Sequence, residues 1–293
     1  MFTGHQVLRD APMRDYTTLK LGGPADYMAL PASGEEVAEL LKEAGDRGMP
    51  VTVLGHGSNV LVLDGGIRGL VIRMGRGMNR AEADGRRIIA RAGTMMGSLA
   101  ALAADSGLTG LEFASGIPGT VGGGVLMNAG AYGGEMSQVV REVTGVMPDG
   151  SIRTLAGEEL GFGYRRSAMQ ENGMIVTSVV FELTEGDPES IRARMTELNR
   201  RRAESQPLDV PSAGSTFKRP EGAYAAALID LCGLKGYAVG GARVSPKHAG
   251  FLVNTGESAK DFLDLMLAVQ RIVEERTGIR LEPEVRIIGE AEA

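Results

Sequence analysis

Between Glu112 and Glu135 the chain reads FASGIPGTVGGGVLMNAGAYGG, 22 residues with eight glycines and no charge. Exposed loops usually carry charge, and flexible linkers are rich in Ser, Lys and Glu. This run instead carries Val, Leu, Ile and Met and is broken by Pro118. Such a composition suits a backbone folded tightly against something large and buried. Glycine then stands where a Cβ would collide or φ must be positive. The buried object is either the protein's own core or a ligand.

The whole chain sets the outer limits. Its 293 residues allow two domains or three small ones, and 43% apolar with 23% charged residues is the balance of a globular chain with a real core. A formal charge of −6 argues against a nucleic-acid-binding surface. The single cysteine, Cys232, lies in the apolar run ALIDLCGL and reads as a small core residue, and the three histidines are widely separated, so no metal cluster is expected. No apolar run reaches membrane-spanning length and the N-terminus lacks a signal-peptide core, so a cytoplasmic location without membrane attachment is expected.

Along the chain, DYMALP reads as a strand leading into Ser33-Gly34-Glu35-Glu36, a capping-box spacing that opens a helix. The helix EEVAELLKEAGDRG and the strand MPVTVLG complete a strand–helix–strand unit. VLVLDGG, GLVIRM and GRRIIARAG are short and β-rich, and MMGSLAALAADSG is a helix. REVTGVMPDGSIRTL is a hairpin turning at Pro148-Asp149-Gly150, followed by the strand MIVTSVVFEL. After Gly186 the pattern changes to a long basic helix, PESIRARMTELNRRRAESQP, ended by Pro207. AYAAALIDLCG and SAKDFLDLMLAVQRIVEERTG then read as helices, YAVGGARVS and GFLVNTG as short strands, and LEPEVRIIG as a final strand. The class expected is α+β.

Leu54-Gly55-His56-Gly57-Ser58-Asn59 follows a strand, which invites a dinucleotide-binding reading. The Rossmann fingerprint fails, because a third glycine and a following helix are missing. A Gly-rich turn with Ser58 and Asn59 can still bind phosphates through backbone N–H groups. Together with the 115–134 segment it forms two Gly-rich clamps that could close on one extended cofactor.

The order TTLKLGGPADY, LGHGSNVLV, SGIPGTVGGGVLMNAGAYG resembles the vanillyl-alcohol-oxidase, or PCMH, type of FAD-binding fold. More closely it resembles the UDP-N-acetylenolpyruvoylglucosamine reductase family. That likeness continues through Tyr164-Arg165-Arg166-Ser167, through AGSTFKRP at 213–220 and through LEPEVR at 281–286. It spans nearly the whole chain and points to the compact second type, which lacks an extra substrate-covering loop. The resemblance implies a two-part FAD-binding domain followed by a smaller α/β substrate-binding domain. The expected boundaries are 1–75 and 76–205 for the two FAD-binding parts, the second completed by 283–293, and 206–282 for the substrate domain. It implies non-covalently bound FAD, NADPH as co-substrate and a UDP-sugar substrate, with no obligate protein partner.

Hydride addition to C3 of an enol ether leaves negative charge at C2, delocalised into the adjoining carboxylate. A fixed cation and a proton donor are then needed. In the family these tasks fall to an arginine, a serine and a glutamate, which correspond here to Arg165, Ser215 and Glu284. Arg165 and Arg166 also read as a solvated pair, and Ser215, between Gly214 and Thr216, also reads as a turn residue. Glu282 lies two residues before Glu284, on the same face of a strand, and sequence alone does not choose between them. The cofactor-binding candidates are Gly55, Gly57, Ser58 and Asn59 in the first clamp. In the second they are Ser115, Gly116, Pro118, Gly119, Gly122 and Gly123. Tyr132, Lys218 and Arg219 are the substrate-binding candidates.

His56 stands where some flavoenzymes of this fold attach FAD covalently, but its place between two glycines favours an outward side chain. His248 reads as a substrate or solvent contact, and Arg200-Arg201-Arg202 as a solvated helix face. Two other functions fit parts of the pattern: an oxidase of the same fold acting on an alcohol or lactone, and a UDP-sugar-binding module without redox activity. The group Ser215, Lys218, Arg219 and Glu284 argues against the first, and the presence of both Gly-rich clamps with Arg165, Ser215 and Glu284 argues against the second.

Overall fold

A computed structural model describes residues 2 and 4–292. The chain forms two compact units that interleave along the sequence. One comprises Met1–Leu8, Tyr27–His56 and Gly69–Arg202; the other comprises Arg9–Asp26, Gly57–Arg68 and Ala203–Ala293.

The first unit is built on a five-stranded antiparallel sheet, in the order Ile152–Ala156, Val140–Val146, Ile175–Glu182, Arg87–Arg91, Ala81–Asp84. Its middle strand, IVTSVVFE, is β-branched and largely buried, whereas the two edge strands are mostly exposed and carry charge. Helix α1 (Gly34–Asp46) starts as the sequence predicts, with Ser33 Oγ accepting from the Glu36 N–H at 3.2 Å. Glu36 reaches back one residue further than a capping box would, accepting from the Ala32 N–H at 3.0 Å. The strand after it, Val51–Leu54, runs parallel to Leu70–Arg73. Helix α2 (Met96–Asp105) buries Met96, Leu99, Ala100, Ala103 and Ala104 in the same core.

A third helix, α3 (Val121–Leu126), lies inside the uncharged run, where the sequence predicts only tight folding. Three of its six residues are glycine, the poorest helix former after proline. Packing overrides that preference. A Cβ on Gly124 would stand 2.9 Å from Met96 Sδ, and one on Gly122 would stand 2.9 Å from Ala92 Cβ. Only a helix this thin fits between α2 and the sheet. The short helix α4 (Ala168–Asn172) and the long α5 (Pro188–Ser205) complete the set, the last three residues of α5 falling in the second unit.

The second unit holds a four-stranded antiparallel sheet ordered Ser212–Ser215, Phe251–Asn254, Ala242–Val244, Ala238–Val239. Helices α6 (Ala225–Leu231) and α7 (Ala259–Thr277) bury Ile229, Phe262, Leu265, Met266 and Val269 beside Leu19, Leu21 and Leu61. Cys232 is buried in this core. The final strand is shorter than LEPEVRIIG, covering only Arg286–Ile288, because the Glu284 and Val285 N–H groups go to the Thr216 carbonyl instead. It runs parallel to Val60–Val62.

Candidate active site

In the first unit, Gly55 faces the N-terminal end of α3. A Cβ on Gly55 would stand 2.4 Å from Thr120 Oγ1. Thr120 is 4% exposed, and its hydroxyl has no hydrogen-bond partner within the protein. A buried hydroxyl left unpaired costs about 1–3 kcal/mol, so a group placed to supply its partner is strongly favoured there. Beside it, Gly123 is exposed, and a Cβ there would meet nothing nearer than Thr120 Oγ1 at 3.7 Å. Gly55 and Gly123 thus border an unsatisfied donor, which suits a polar cofactor, whereas Gly122 packs against Ala92. Sequence reasoning overlooked Thr120, although its place immediately before the glycines was a usable signal.

Ser115, Gly116, Pro118 and Gly119 form the turn ahead of α3. The Gly119 carbonyl accepts the Met96 N–H at 3.0 Å, tying the turn to the start of α2. Ser115 Oγ donates to the Glu112 carbonyl at 2.9 Å and contacts Asn199 Oδ1 at 3.3 Å. A Cβ on Gly116 would meet Asn199 Oδ1 at 2.5 Å and Arg202 Nε at 3.0 Å. The arginine run is therefore not uniformly solvated, as expected from its sequence. Arg200 and Arg201 pair with Glu197, but Arg202 turns inward and is only 9% exposed. Its Nη1 donates to the Gly116 carbonyl at 2.7 Å, and its guanidinium carbon lies 5.8 Å from the centre of the Tyr132 ring. Burial lowers the Arg202 pKa from its ordinary value, with Tyr132 opposing the shift. A run of three like residues concealed one inward position, because helical periodicity separates their directions by about 100°.

Tyr132 and Arg165 share an unusual backbone state. Gly130–Ala131 and Gly134–Glu135 form a minimal hairpin, with Tyr132 (φ 55°) and Gly133 (φ 88°) as its two corner residues. Positive φ at both corners is the type I′ pattern, which normally takes Asn or Gly. Gly163 and Arg166 close a second tight turn, exchanging N–H···O bonds of 3.0 and 3.2 Å, and Arg165 at its second corner has φ 56°. That position too is ordinarily glycine. Left-handed backbone on a bulky side chain costs about 1 kcal/mol or more, and such strain concentrates at functional sites. Both side chains were expected there from sequence, but not the strain.

In the second unit, Gly57 has φ 72°, and a Cβ on it would fall 2.2 Å from the Tyr16 carbonyl oxygen. The Thr18 N–H donates to the Gly57 carbonyl at 3.1 Å, and Thr18 Oγ1 donates to the Ser212 carbonyl at 2.6 Å. The TTLKLGG segment therefore braces this clamp. Ser58 and Asn59 form the turn that follows. Asn59 Nδ2 donates to the Glu284 carbonyl at 3.1 Å, and the Asn59 carbonyl accepts the Arg286 N–H at 3.0 Å. At least one end of the Asn59 amide is thus engaged in holding the C-terminal segment.

The segments that carry Ser215 and Glu284 pair in this unit. Phe217 and Pro283 form an antiparallel bridge, flanked by Glu284 N–H to Thr216 carbonyl at 2.8 Å and Lys218 N–H to Glu282 carbonyl at 2.9 Å. Ser215 ends its strand opposite Phe251, after a register shift at Gly214 (φ 77°), and is exposed. The bulge turns Ser215 outward while buried Thr216 uses its hydroxyl to accept the Leu252 N–H at 3.2 Å. Glu282 is exposed and its carboxylate lies 3.4 Å from Lys218 Nζ. Glu284 is half-buried. The Arg219 guanidinium stacks 3.8 Å over the exposed Tyr224 ring.

His248 is half-buried, its Nδ1 accepting the Gly250 N–H at 3.1 Å and its ring edge-on to Phe251. Burial lowers its pKa from the ordinary value, and nearby Lys235 acts in the same direction. Among the described residues no His, Cys, Asp and Glu group could hold a metal ion, and no helix is long and apolar enough to cross a membrane.

Comparison with known proteins gives these features a family. The sequence profile of an FAD binding domain matches residues 25–156, and that of the UDP-N-acetylenolpyruvoylglucosamine reductase C-terminal domain matches 206–288. The UDP-N-acetylenolpyruvoylglucosamine reductase of Clostridium novyi is 51% identical over 286 residues, covering 97% of this chain and 93% of its own length. The chain belongs to the UDP-N-acetylenolpyruvoylglucosamine reductase family. The reductase of Lactiplantibacillus plantarum is 49% identical over 290 residues, covering 99% of this chain and 96% of that protein. In structure, the reductase of Thermus caldophilus superposes with a TM-score of 0.83 at 41% identity, over 97% of this chain and 98% of that one. The fold is the α+β arrangement expected: a PCMH-type FAD-binding domain followed by the reductase family's C-terminal domain.

Proposed function

We propose that this protein is a cytoplasmic, FAD-dependent enzyme of peptidoglycan precursor synthesis. It uses NADPH to reduce the enolpyruvyl group of UDP-N-acetylenolpyruvoylglucosamine, giving UDP-N-acetylmuramate. The observation that supports this reading is the pairing of residues 216–218 with 282–284, which draws together the chain segments that carry Ser215 and Glu284. An oxidase of the same fold, which removes a proton and a hydride, has no use for a proton donor placed in this way.

FAD would be held by Gly55, Gly57, Ser58, Asn59, Ser115, Gly116, Pro118, Gly119, Gly122 and Gly123, with the unpaired Thr120 hydroxyl as an added donor. Bound there, it would supply the hydride chemistry that links NADPH to C3 of the substrate. Arg165 engages the substrate carboxylate with its fork of N–H donors and stabilises the negative charge that spreads from C2. Ser215 donates its proton to C2, and Glu284 orients this transfer by hydrogen bonding. Because Ser215 is exposed, water restores its proton before the next turnover. Lys218 and Arg219 supply positive charge beside Ser215 for the anionic substrate, and Tyr132 lines the site.

A spectral titration tests the proposal. The protein reconstituted with FAD should be yellow, lose its flavin absorbance on adding NADPH, and regain it without oxygen on adding the enolpyruvyl substrate. Protein that fails to take up FAD, or whose reduced flavin reacts only with oxygen, would count against it.

A further inference from the structure

We propose that Asn128 is a positioning residue for Arg165, holding the turn that presents the guanidinium to the substrate carboxylate. The inference rests on the role given to Arg165 above.

Helix α3 ends in a Schellman motif: Asn128 N–H donates to the Val125 carbonyl at 3.1 Å and Ala129 N–H to the Gly124 carbonyl at 2.7 Å. Asn128 is the left-handed residue of that motif, with φ 41°. Glycine is its ordinary occupant and would satisfy the cap with less strain. The cap therefore does not explain asparagine here. The side chain does.

Asn128 is 1% exposed, and both ends of its amide are engaged. Nδ2 donates to the Gly163 carbonyl at 3.0 Å, and Oδ1 accepts the Ser137 N–H at 2.9 Å. Gly163 opens the turn whose corners are Tyr164 and Arg165. The far side of that turn is tied to the same helix end. Ser167 Oγ and Gln170 Nε2 both donate to the Leu126 carbonyl, at 2.8 and 2.7 Å, and Gln170 Nε2 also reaches the Arg165 carbonyl at 3.1 Å. The turn is thus gripped at its entry by Asn128 and at its exit by Ser167 and Gln170. A residue at φ 56° keeps that conformation only where its surroundings over-determine it. The other end of the Asn128 amide holds the strand exit of the Tyr132 hairpin, so one buried side chain sets the base of both strained turns.

Three variants test this: Asn128→Gly, which keeps the cap and deletes both side-chain bonds; Asn128→Asp, which keeps the acceptor for Ser137 but removes the donor to Gly163; and Arg165→Ala. Flavin reduction by NADPH and flavin reoxidation by the enolpyruvyl substrate are measured separately on the FAD-loaded proteins, with hydrogen exchange at the Gly163 and Arg166 amides. Both Asn128 variants should leave reduction by NADPH unchanged, speed exchange at those amides, and slow substrate-driven reoxidation by roughly 10- to 100-fold. Combining Asn128→Gly with Arg165→Ala should be no slower than Arg165→Ala alone. Unslowed reoxidation in both Asn128 variants, with Arg165→Ala impaired, would overturn the inference. So would fully additive losses in the double variant, which would make the effect of Asn128 independent of Arg165. An unimpaired Arg165→Ala would instead remove the reading of Arg165 itself, and the inference with it. Should Asn128→Gly not fold, Asn128→Asp carries the same expectations.

Discussion

The Glu284 N–H donates to the Thr216 carbonyl at 2.8 Å, fixing the backbone of a carboxylate residue against the neighbour of an exposed serine. Glu282, two residues earlier, is committed elsewhere, with its carboxylate 3.4 Å from Lys218 Nζ.

Ser215→Ala should leave flavin reduction by NADPH intact and slow reoxidation by substrate by roughly 10²- to 10⁴-fold, the usual span for losing a general acid. Glu284→Gln should slow the same half-reaction, whereas Glu282→Gln, which breaks only an exposed ion pair, should not. Stopped-flow absorbance resolves the two half-reactions. Equal effects of the two Gln substitutions would deny Glu284 its special place.

The unpaired Thr120 hydroxyl should affect the apoprotein and the loaded protein in opposite directions. Thr120→Val removes a buried polar atom without a partner, so the apoprotein should gain stability, up to about 1–3 kcal/mol. FAD affinity should fall at the same time, because the valine offers no donor. Gly55→Ala should also weaken FAD binding, its methyl entering the space beside that hydroxyl. Thermal melting without cofactor and fluorescence titration with FAD read the two effects independently. Undiminished FAD affinity in both variants would place the cofactor elsewhere.

Glycines of similar φ should differ sharply in their tolerance of alanine. At Gly57 the new Cβ meets backbone at 2.2 Å, whereas at Gly133 nothing lies within 4 Å. Gly133→Ala should cost about 1 kcal/mol from its backbone conformation alone. Gly57→Ala adds a collision with a rigid carbonyl and should cost about 3 kcal/mol or more. Urea unfolding of the two variants makes the comparison, and equal costs would be inconsistent with this packing.

His248 should contribute a pH dependence to stability. Its folded pKa lies below the unfolded value, so the unfolded state binds the proton more readily. The stabilisation is complete above the unfolded pKa and is lost as pH falls from there toward the folded pKa. His248→Asn retains an acceptor for the Gly250 N–H but does not titrate. Relative to this variant, the parent protein should lose stability on acidification below about pH 6.5, the ordinary histidine value. Parallel stability curves for the two proteins would remove His248 as the source.

The regular elements were legible in the sequence because their patterns are local. Ser33 marked the start of α1, the β-branched run IVTSVVFE marked a strand, and Pro148-Asp149-Gly150 marked the hairpin that precedes it. Helix α3 was not legible, since three glycines in six residues oppose helix and only contacts with Ala92 and Met96 make it pay. Arg202 was masked by two solvated neighbours. The residues chosen for catalysis came from family resemblance, and their placement could not be foreseen. The segments that carry Ser215 and Glu284 are distant in the chain and meet only by pairing, which no local pattern encodes.

The conformations of Tyr132 and Arg165 bear on how such a protein can be engineered. At both positions a stability-guided redesign would choose glycine, and on backbone grounds alone it would be right. Each such substitution would exchange a side chain to which a role at the substrate is proposed for a sturdier scaffold. Sequences improved only for heat resistance would therefore drift toward well-folded, inactive proteins at these two turns. Any selection for robustness in this fold needs an activity screen alongside it.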